Sequence, residues 1–400
     1  MSARKTVLSL EQALALPYAT QRFVQLGWRV IRVETPGDEG QGNVGDPNRY
    51  IGEDLGYHDL HSYYIAPNVG KEAITLNLKR PEGRELLQRI IRRLGVDVFT
   101  CGTLPGRYEQ LGIDYKTLSQ VNPDLIWCGI SALGPDYPDR AGYDPALQAL
   151  LGFTYLTGEK DGMPVPCGVP VIDLKAGDEV FAQVLLALVK QNEEQGGRQI
   201  QISMAQCAAS WLITAIPQLQ FSSSESVLER AGNEHRSFIP CNVYPTRDGH
   251  VYLAIGNDLQ WAKFCSMSGF EHLARPEWKT NHGRMKDKEI LYKEIGEMAG
   301  NFSTREFVDL CLKQKLAASP VNSIREVADL EFIRGYLVKT RLPSEKEAAL
   351  SPPAVNTEFL MENDFHLPCA PRLGEHTRQI LTEAGLDGTE ILKLEQEGII

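Results

Sequence analysis

Up to about residue 215 this chain alternates short apolar runs with amphipathic stretches of helical period, and that alternation limits what it can fold into. "TVLSL" reads as a strand, "PYATQRFVQLG" as a helix closed by Gly27, and "WRVIRVE" as a second strand. "EAITLNLK" follows as a strand. A helix then opens at Pro81 in "PEGRELLQRIIRRLG", with its early acids and late arginines arranged along the helix dipole. "VDVFTC" and "DLIWCGIS" supply two more short buried strands. Parallel strands need crossover connections and antiparallel ones do not, so strands that alternate with helices predict an α/β fold with a mostly parallel sheet.

The pattern changes further on. "NVYPTRDGHVYLAIG" has the form of an antiparallel hairpin turning at Asp248-Gly249, and helical patterns continue to about residue 335. Four hundred residues exceed one simple core, which predicts two domains. The large one spans 1–215, with 340–400 returning to it, and a smaller α+β domain spans 225–335. Linkers fall at 216–224 and 336–350. A net charge of -11 argues against general affinity for nucleic acid or an anionic membrane. Eight scattered cysteines with no CxxC pair read as reduced thiols, and no apolar run is long enough to span a membrane. The expected location is the cytoplasm. The region 36–70, rich in Gly, Asp, Asn and Pro, reads as a long loop.

Several motifs are decoys. "GQGNVG" at 40–45 matches GxGxxG, but no helical period follows it, and the turn after the first strand has no glycine, so a dinucleotide site is not expected. His58 and His61 in "HDLH" have no further ligands nearby, and no metal is expected. GxSxG, Walker A and HExxH motifs are absent. "GVPVIDLKAG" at 168–177 holds a single acid, Asp173, before a run that sets Val180, Phe181, Val184, Leu185, Leu188 and Val189 on one helical face. An Asp there suits a helix cap. The small residues around it, Ala176-Gly177 among them, also suit a carboxylate that a large ligand must reach.

Six blocks in order resemble the class III (family III) CoA-transferases. They are "LPYATQRFVQLGWRVIRVE", "NVGKEAITLNLKRPEGRELLQRII", "LGIDYKTLSQVNPDLIWCGISALG", "AGYDPALQALLGFTYLTGE", "GVPVIDLKAG" and "PRLGEHTRQIL". The resemblance covers nearly the whole chain and is thinnest around 36–65 and 225–345. It implies a Rossmann-like large domain with a smaller domain, in an interlocked homodimer of ring-like subunits. It also makes Asp173 the nucleophile, passing through an aspartyl anhydride and an aspartyl-CoA thioester. No permanently bound cofactor is implied; a coenzyme A thioester is the substrate.

For the CoA phosphates the resemblance points to Lys71 in "NVGKEA". Leu104 stands where an arginine is common in the family, which leaves Arg107 and, more remotely, Arg49 as candidate cations. Leu14 replaces a glutamine that formyl-CoA transferase sets against the acyl group, so formyl transfer to oxalate is not expected. "AGNEHRSFIPC" replaces that enzyme's glycine-rich lid, and His235 and Arg236 become candidates for a second carboxylate on the acceptor. This favours a dicarboxylate pair with succinyl-CoA as donor. The alternative is an α-methylacyl-CoA racemase, which needs a histidine where this chain has Tyr143, a poor base at neutral pH. A further alternative is a subunit of a heteromeric transferase.

Overall fold

The computed structural model describes residues 4–37, 42–221 and 228–400. The chain divides into two units: Met1–Leu151 with Gly168–Thr214 and Phe332–Ile400, and Gly152–Cys167 with Ala215–Glu331. From sequence alone, Gly152–Cys167 falls within the large domain; in the structure it groups with the smaller unit. Part of the predicted linker 216–224 lies outside the described residues.

The larger unit is built on six parallel strands: β1 (Thr6–Leu10), β2 (Arg29–Glu34), β3 (Glu72–Thr75), β4 (Val98–Cys101), β5 (Ile126–Ser131) and β6 (Arg198–Ser203). They lie in the order β3-β2-β1-β4-β5-β6. Register is set by apolar rows such as Leu8 against Ile31 on one side and Phe99 on the other. Side chains alternate across a strand, and here both faces are buried, which is why the strands read as nearly continuous apolar runs. Leu8, Ile31, Phe99 and Trp127 share a core with Leu87 and Ile90 of the helix Pro81–Arg93 and with Ile380, Ile391 and Ile399 from the chain's end. Their neighbours Val7, Val30, Val98 and Ile126, also buried, turn to the opposite face. The C-terminal segment is tied to β3 by backbone bonds, His376 N–H to the Ala73 carbonyl at 2.9 Å and Asn77 N–H to the Ile399 carbonyl at 2.8 Å.

Three helices of this unit matter most for the site: α1 (Ala15–Gln25), α2 (Asp144–Leu150) and α3 (Val171–Glu193). The buried face of α3 is Ile172, Ala176, Val180, Val184 and Ala187. That is rotated from the apolar stripe read in the sequence, and Val189 is 57% exposed. The cause is the crossing with α1. A Cβ at Gly177 would stand 2.6 Å from the Ala15 carbonyl oxygen and 2.7 Å from the Tyr18 ring, so the two backbones meet there. Gly177 is small because of helix packing, not to leave room for a ligand.

The smaller unit carries an antiparallel sheet of β7 (Cys241–Pro245), β8 (His250–Ala254) and β9 (Ala317–Pro320), with β8 in the centre. The hairpin turns at Asp248-Gly249, where Thr246 N–H reaches the Gly249 carbonyl at 2.9 Å. Trp261, Phe264, Phe270, Trp278 and Phe307 fill its separate core. Among the described residues no helix is long and apolar enough to cross a membrane.

Candidate active site

Strand order reverses between β1 and β4, since β2 and β3 extend one way from β1 while β5 and β6 extend the other. Open α/β sheets bind ligands beyond the carboxyl ends of their strands at such a point. A cavity of about 290 Å³ opens there, lined by Leu10, Gln12, Thr35, Asn77, Lys79 and Arg107 among others. Lys79 and Arg107 are exposed, and neither side chain has a partner among the described residues. Arg107 is one of the cations the sequence singles out. Lys79 is not, although it lies in the same block as Lys71, "NVGKEAITLNLKRPEG".

That earlier lysine, Lys71, is buried. Its Nζ donates to Glu11 Oε1 at 2.7 Å, the Pro17 carbonyl at 2.9 Å and Asn68 Oδ1 at 3.1 Å. Burial pushes its pKa down to about 8 against the pull of Glu11. Glu11 also accepts from Ser9 and Thr20 at 2.7 and 2.6 Å. Burial alone would raise its pKa, but Lys71 and Arg32 outweigh that and hold it below the ordinary range. Arg49 is likewise fully buried, donating to Glu34 Oε2 at 2.9 Å and to the Pro371 carbonyl at 3.0 Å, with its guanidinium over the Tyr64 ring. Both cations are committed to one internal network with Arg32, Glu34 and Asp46. Neither presents its charge to a ligand, because every donor facing a carboxylate or carbonyl inside the unit is already used.

The same network braces the turn before α1. Ala13 has φ +60°, a left-handed value that costs energy for a residue with a Cβ. Its N–H donates to Asp46 Oδ1 at 3.1 Å and its carbonyl accepts from Asn48 Nδ2 at 2.7 Å. Leu14, next in line, is the N-cap of α1 and half-buried.

Asp173 stands in the first turn of α3. Its side chain does not cap that helix, and the N-cap residue is Pro170, which offers no side-chain acceptor. The cap comes from elsewhere. Asp144, the first residue of α2, accepts from Ile172 N–H at 2.7 Å and Asp173 N–H at 3.1 Å through Oδ2. Its Oδ1 accepts from Gln148 at 2.5 Å. The Asp173 carboxyl itself meets no donor or cation among the described residues. Burial first, and the Asp144 charge second, raise its pKa to about 7. The group is half-buried and meets no compensating charge among the described residues.

Tyr143, beside Asp144, is the N-cap of α2; its side chain is 70% exposed. In the smaller unit, His235 Nδ1 accepts from the Ser237 and Phe238 N–H groups, both at 3.1 Å, so its proton sits on Nε2. Arg236 gives Nε and Nη2 to the Glu229 carbonyl at 3.2 and 2.7 Å. Residues 40 and 41 of "GQGNVG" lie outside the described residues, and 42–45 form bends with no α-helix after them. Among the described residues no three His, Cys, Asp or Glu side chains are grouped to hold a metal. Among the described residues Cys101, Cys128, Cys207, Cys241, Cys265 and Cys311 are buried thiols.

Residues 4–377 match the model of CoA-transferase family III. A succinate–glutarate CoA-transferase of Agrobacterium fabrum is 31% identical, covering 94% of this chain and 94% of its own. An acyl-CoA transferase of Fusarium pseudograminearum is 30% identical, covering 98% of this chain and 87% of its own. Among solved structures, a CAIB/BAIF family protein from Brucella suis superposes with a TM-score of 0.81 at 28% identity, covering 95% of this chain and 98% of that one. With a family match across nearly its whole length, the chain belongs to CoA-transferase family III and is an enzyme of that class.

Proposed function

We propose that this enzyme moves CoA from succinyl-CoA to a second carboxylic acid by covalent catalysis on Asp173. One observation carries the reading: among the described residues the Asp173 carboxyl has no donor or cation to quench it, at the start of a helix capped by another residue. An Asp173 oxygen attacks the thioester carbonyl and the carbon–sulfur bond breaks, giving a succinyl–aspartyl anhydride and CoA thiolate. The thiolate attacks the aspartyl carbonyl and expels succinate, leaving an aspartyl-CoA thioester. The acceptor carboxylate attacks that thioester and frees the thiolate again. Thiolate attack on the acceptor carbonyl then releases the new acyl-CoA and restores the Asp173 carboxylate. Splitting an exchange between two unreactive carboxylates into such steps is what a covalent nucleophile achieves.

Lys79 and Arg107, which line the switch-point cavity with no partner among the described residues, are suited to the phosphates at the far end of CoA. Binding energy gathered there can hold the thioester in place. Relatives named for their substrates, such as the succinyl-CoA:glutarate CoA-transferase of Mus musculus, support a succinyl donor and a dicarboxylate acceptor. The His235 Nε2 proton and the Arg236 Nη1, which has no partner among the described residues, suit an acceptor's second carboxylate. We also read the enzyme as an interlocked homodimer, as the resemblance to its family implies; Trp211, Ile213, Ile216, Leu219 and Phe221, all at least 48% exposed on the single chain, offer an apolar surface for a second copy.

The deciding experiment is borohydride reduction of enzyme incubated with succinyl-CoA. An aspartyl-CoA thioester at residue 173 is reduced to a homoserine side chain that peptide mass spectrometry locates. Asp173→Asn is expected to fold normally, give no adduct and lose at least ~1000-fold in kcat. An Asn variant within tenfold of wild type sinks the mechanism. Arg236→Ala should raise KM for the acceptor without raising it for succinyl-CoA; equal values in both enzymes would remove Arg236 from acceptor recognition.

A further inference from the structure

We propose that Asp144 is a positioning residue for the nucleophile: it fixes the Asp173 carboxyl at the start of α3, and its own negative charge keeps that carboxyl reactive. The inference rests on Asp173 being the nucleophile. A helix as long as α3 begins with backbone N–H groups that lack intrahelical partners and carry partial positive charge. An Asp in the first turn would ordinarily be held as a well-stabilised anion by those donors. Here Asp144 takes the N–H groups of both Ile172 and Asp173 on a single oxygen. Its other oxygen is held by Gln148, and the whole residue is 3% exposed, so water screens its charge little.

The other titratable groups on elements packed against α3 are engaged elsewhere or carry no charge. Tyr18 and Arg22 of α1 both bind Asp178. Lys175 pairs with Glu179 on α3 itself, and Arg198 of β6 pairs with Glu194. Cys128 of β5 and Cys207 of the helix Met204–Ser210 are buried thiols whose pKa values are pushed up to about 12 and about 11, so both are neutral. Asp144 is therefore the charge that acts on the Asp173 carboxyl, in addition to burial. A carboxylate denied its helix donors and faced by a like charge is a less stabilised anion. It gains more by bonding to a thioester carbon.

The test is the pH dependence of kcat/KM in wild type, Asp144→Asn and Asp144→Glu, with borohydride trapping on each. The wild-type rate should rise through a midpoint at about pH 7, as Asp173 ionises. Asp144→Asn keeps an oxygen for the two N–H groups but removes the charge; its midpoint should fall by at least about one pH unit and its plateau roughly tenfold. Asp144→Glu keeps the charge and shifts the acceptor, so its midpoint should stay near wild type while its plateau falls, about 100-fold for a displacement near 1 Å. A purely structural Asp144 would leave both midpoints unmoved, and that result overturns the proposal. So does a Glu variant whose midpoint falls with that of the Asn variant. If the wild type yields no adduct at residue 173, the nucleophile reading itself fails. If it does yield the adduct and the midpoints do not move, only the role of Asp144 fails.

Discussion

Glu11 and Asp173 are both carboxylates withdrawn from water in the same unit, and their surroundings drive them in opposite directions. Glu11 meets Lys71 at 2.7 Å and two hydroxyls, and its pKa lies below the ordinary range despite full burial. The Asp173 carboxyl meets no donor or cation among the described residues, and burial together with the Asp144 charge raises its pKa to about 7. The difference shows that burial alone does not decide which way a carboxylate's pKa moves. What decides it here is whether a cation or donor has been supplied along with the burial.

The sharpest way to break the comparison is to take the cation from Glu11. Lys71→Met leaves a buried anion without its partner and should cost about 3–5 kcal/mol of stability, measured by urea unfolding. Glu11→Gln with Lys71→Met together should recover much of that loss, since neither charge is then stranded. A single variant as stable as wild type would mean that Glu11 takes a proton at little cost, and the contrast with Asp173 would disappear.

Removing the charge at Asp173 should do the reverse. Its folded pKa lies above its unfolded one, near 4, so between these values the folded state holds more protons than the unfolded and stability falls as pH rises. Asp173→Asn escapes that loss. It should match wild type near pH 4 and exceed it by about 2 kcal/mol above pH 7, with the gap opening across that window. A constant difference from pH 4 to pH 8 would show that the carboxyl is not perturbed in the folded enzyme.

The sequence makes one side of this contrast visible and hides the other. Strand and helix periods mark the parallel sheet, because each element carries its pattern in consecutive residues. Asp173 stands out because an acid in an apolar, glycine-flanked stretch is a local anomaly. Its helix-capping partner lies 29 residues earlier, behind a crossing of α3 with α1 that no spacing rule encodes. Asp144 sits in plain view in "AGYDPALQA", but there the position of Tyr143 draws the attention. Lys71 illustrates the opposite case. A lysine in a glycine-containing loop has the composition of a phosphate contact, and only the fold reveals Glu11, 60 residues away, waiting to pair with it.

The cations divide as the carboxylates do, and the smallest predicted effect tests that division. Lys71 is bound on every side, whereas Lys79 and Arg107 line the cavity at the strand ends with no partner among the described residues. An unpaired exposed cation adds little to folding, so Lys79→Ala and Arg107→Ala should unfold within about 0.5 kcal/mol of wild type. Each should instead raise KM for the acyl-CoA by up to about tenfold, equivalent to about 1.4 kcal/mol of lost binding, with little change in kcat. Because that contact is a screened ion pair, the rise should shrink as salt is raised from 0.05 to 0.5 M, to about twofold. A KM that is unmoved at low salt in both variants would place the CoA phosphates elsewhere. It would also leave the switch-point cavity without the ligand its position favours.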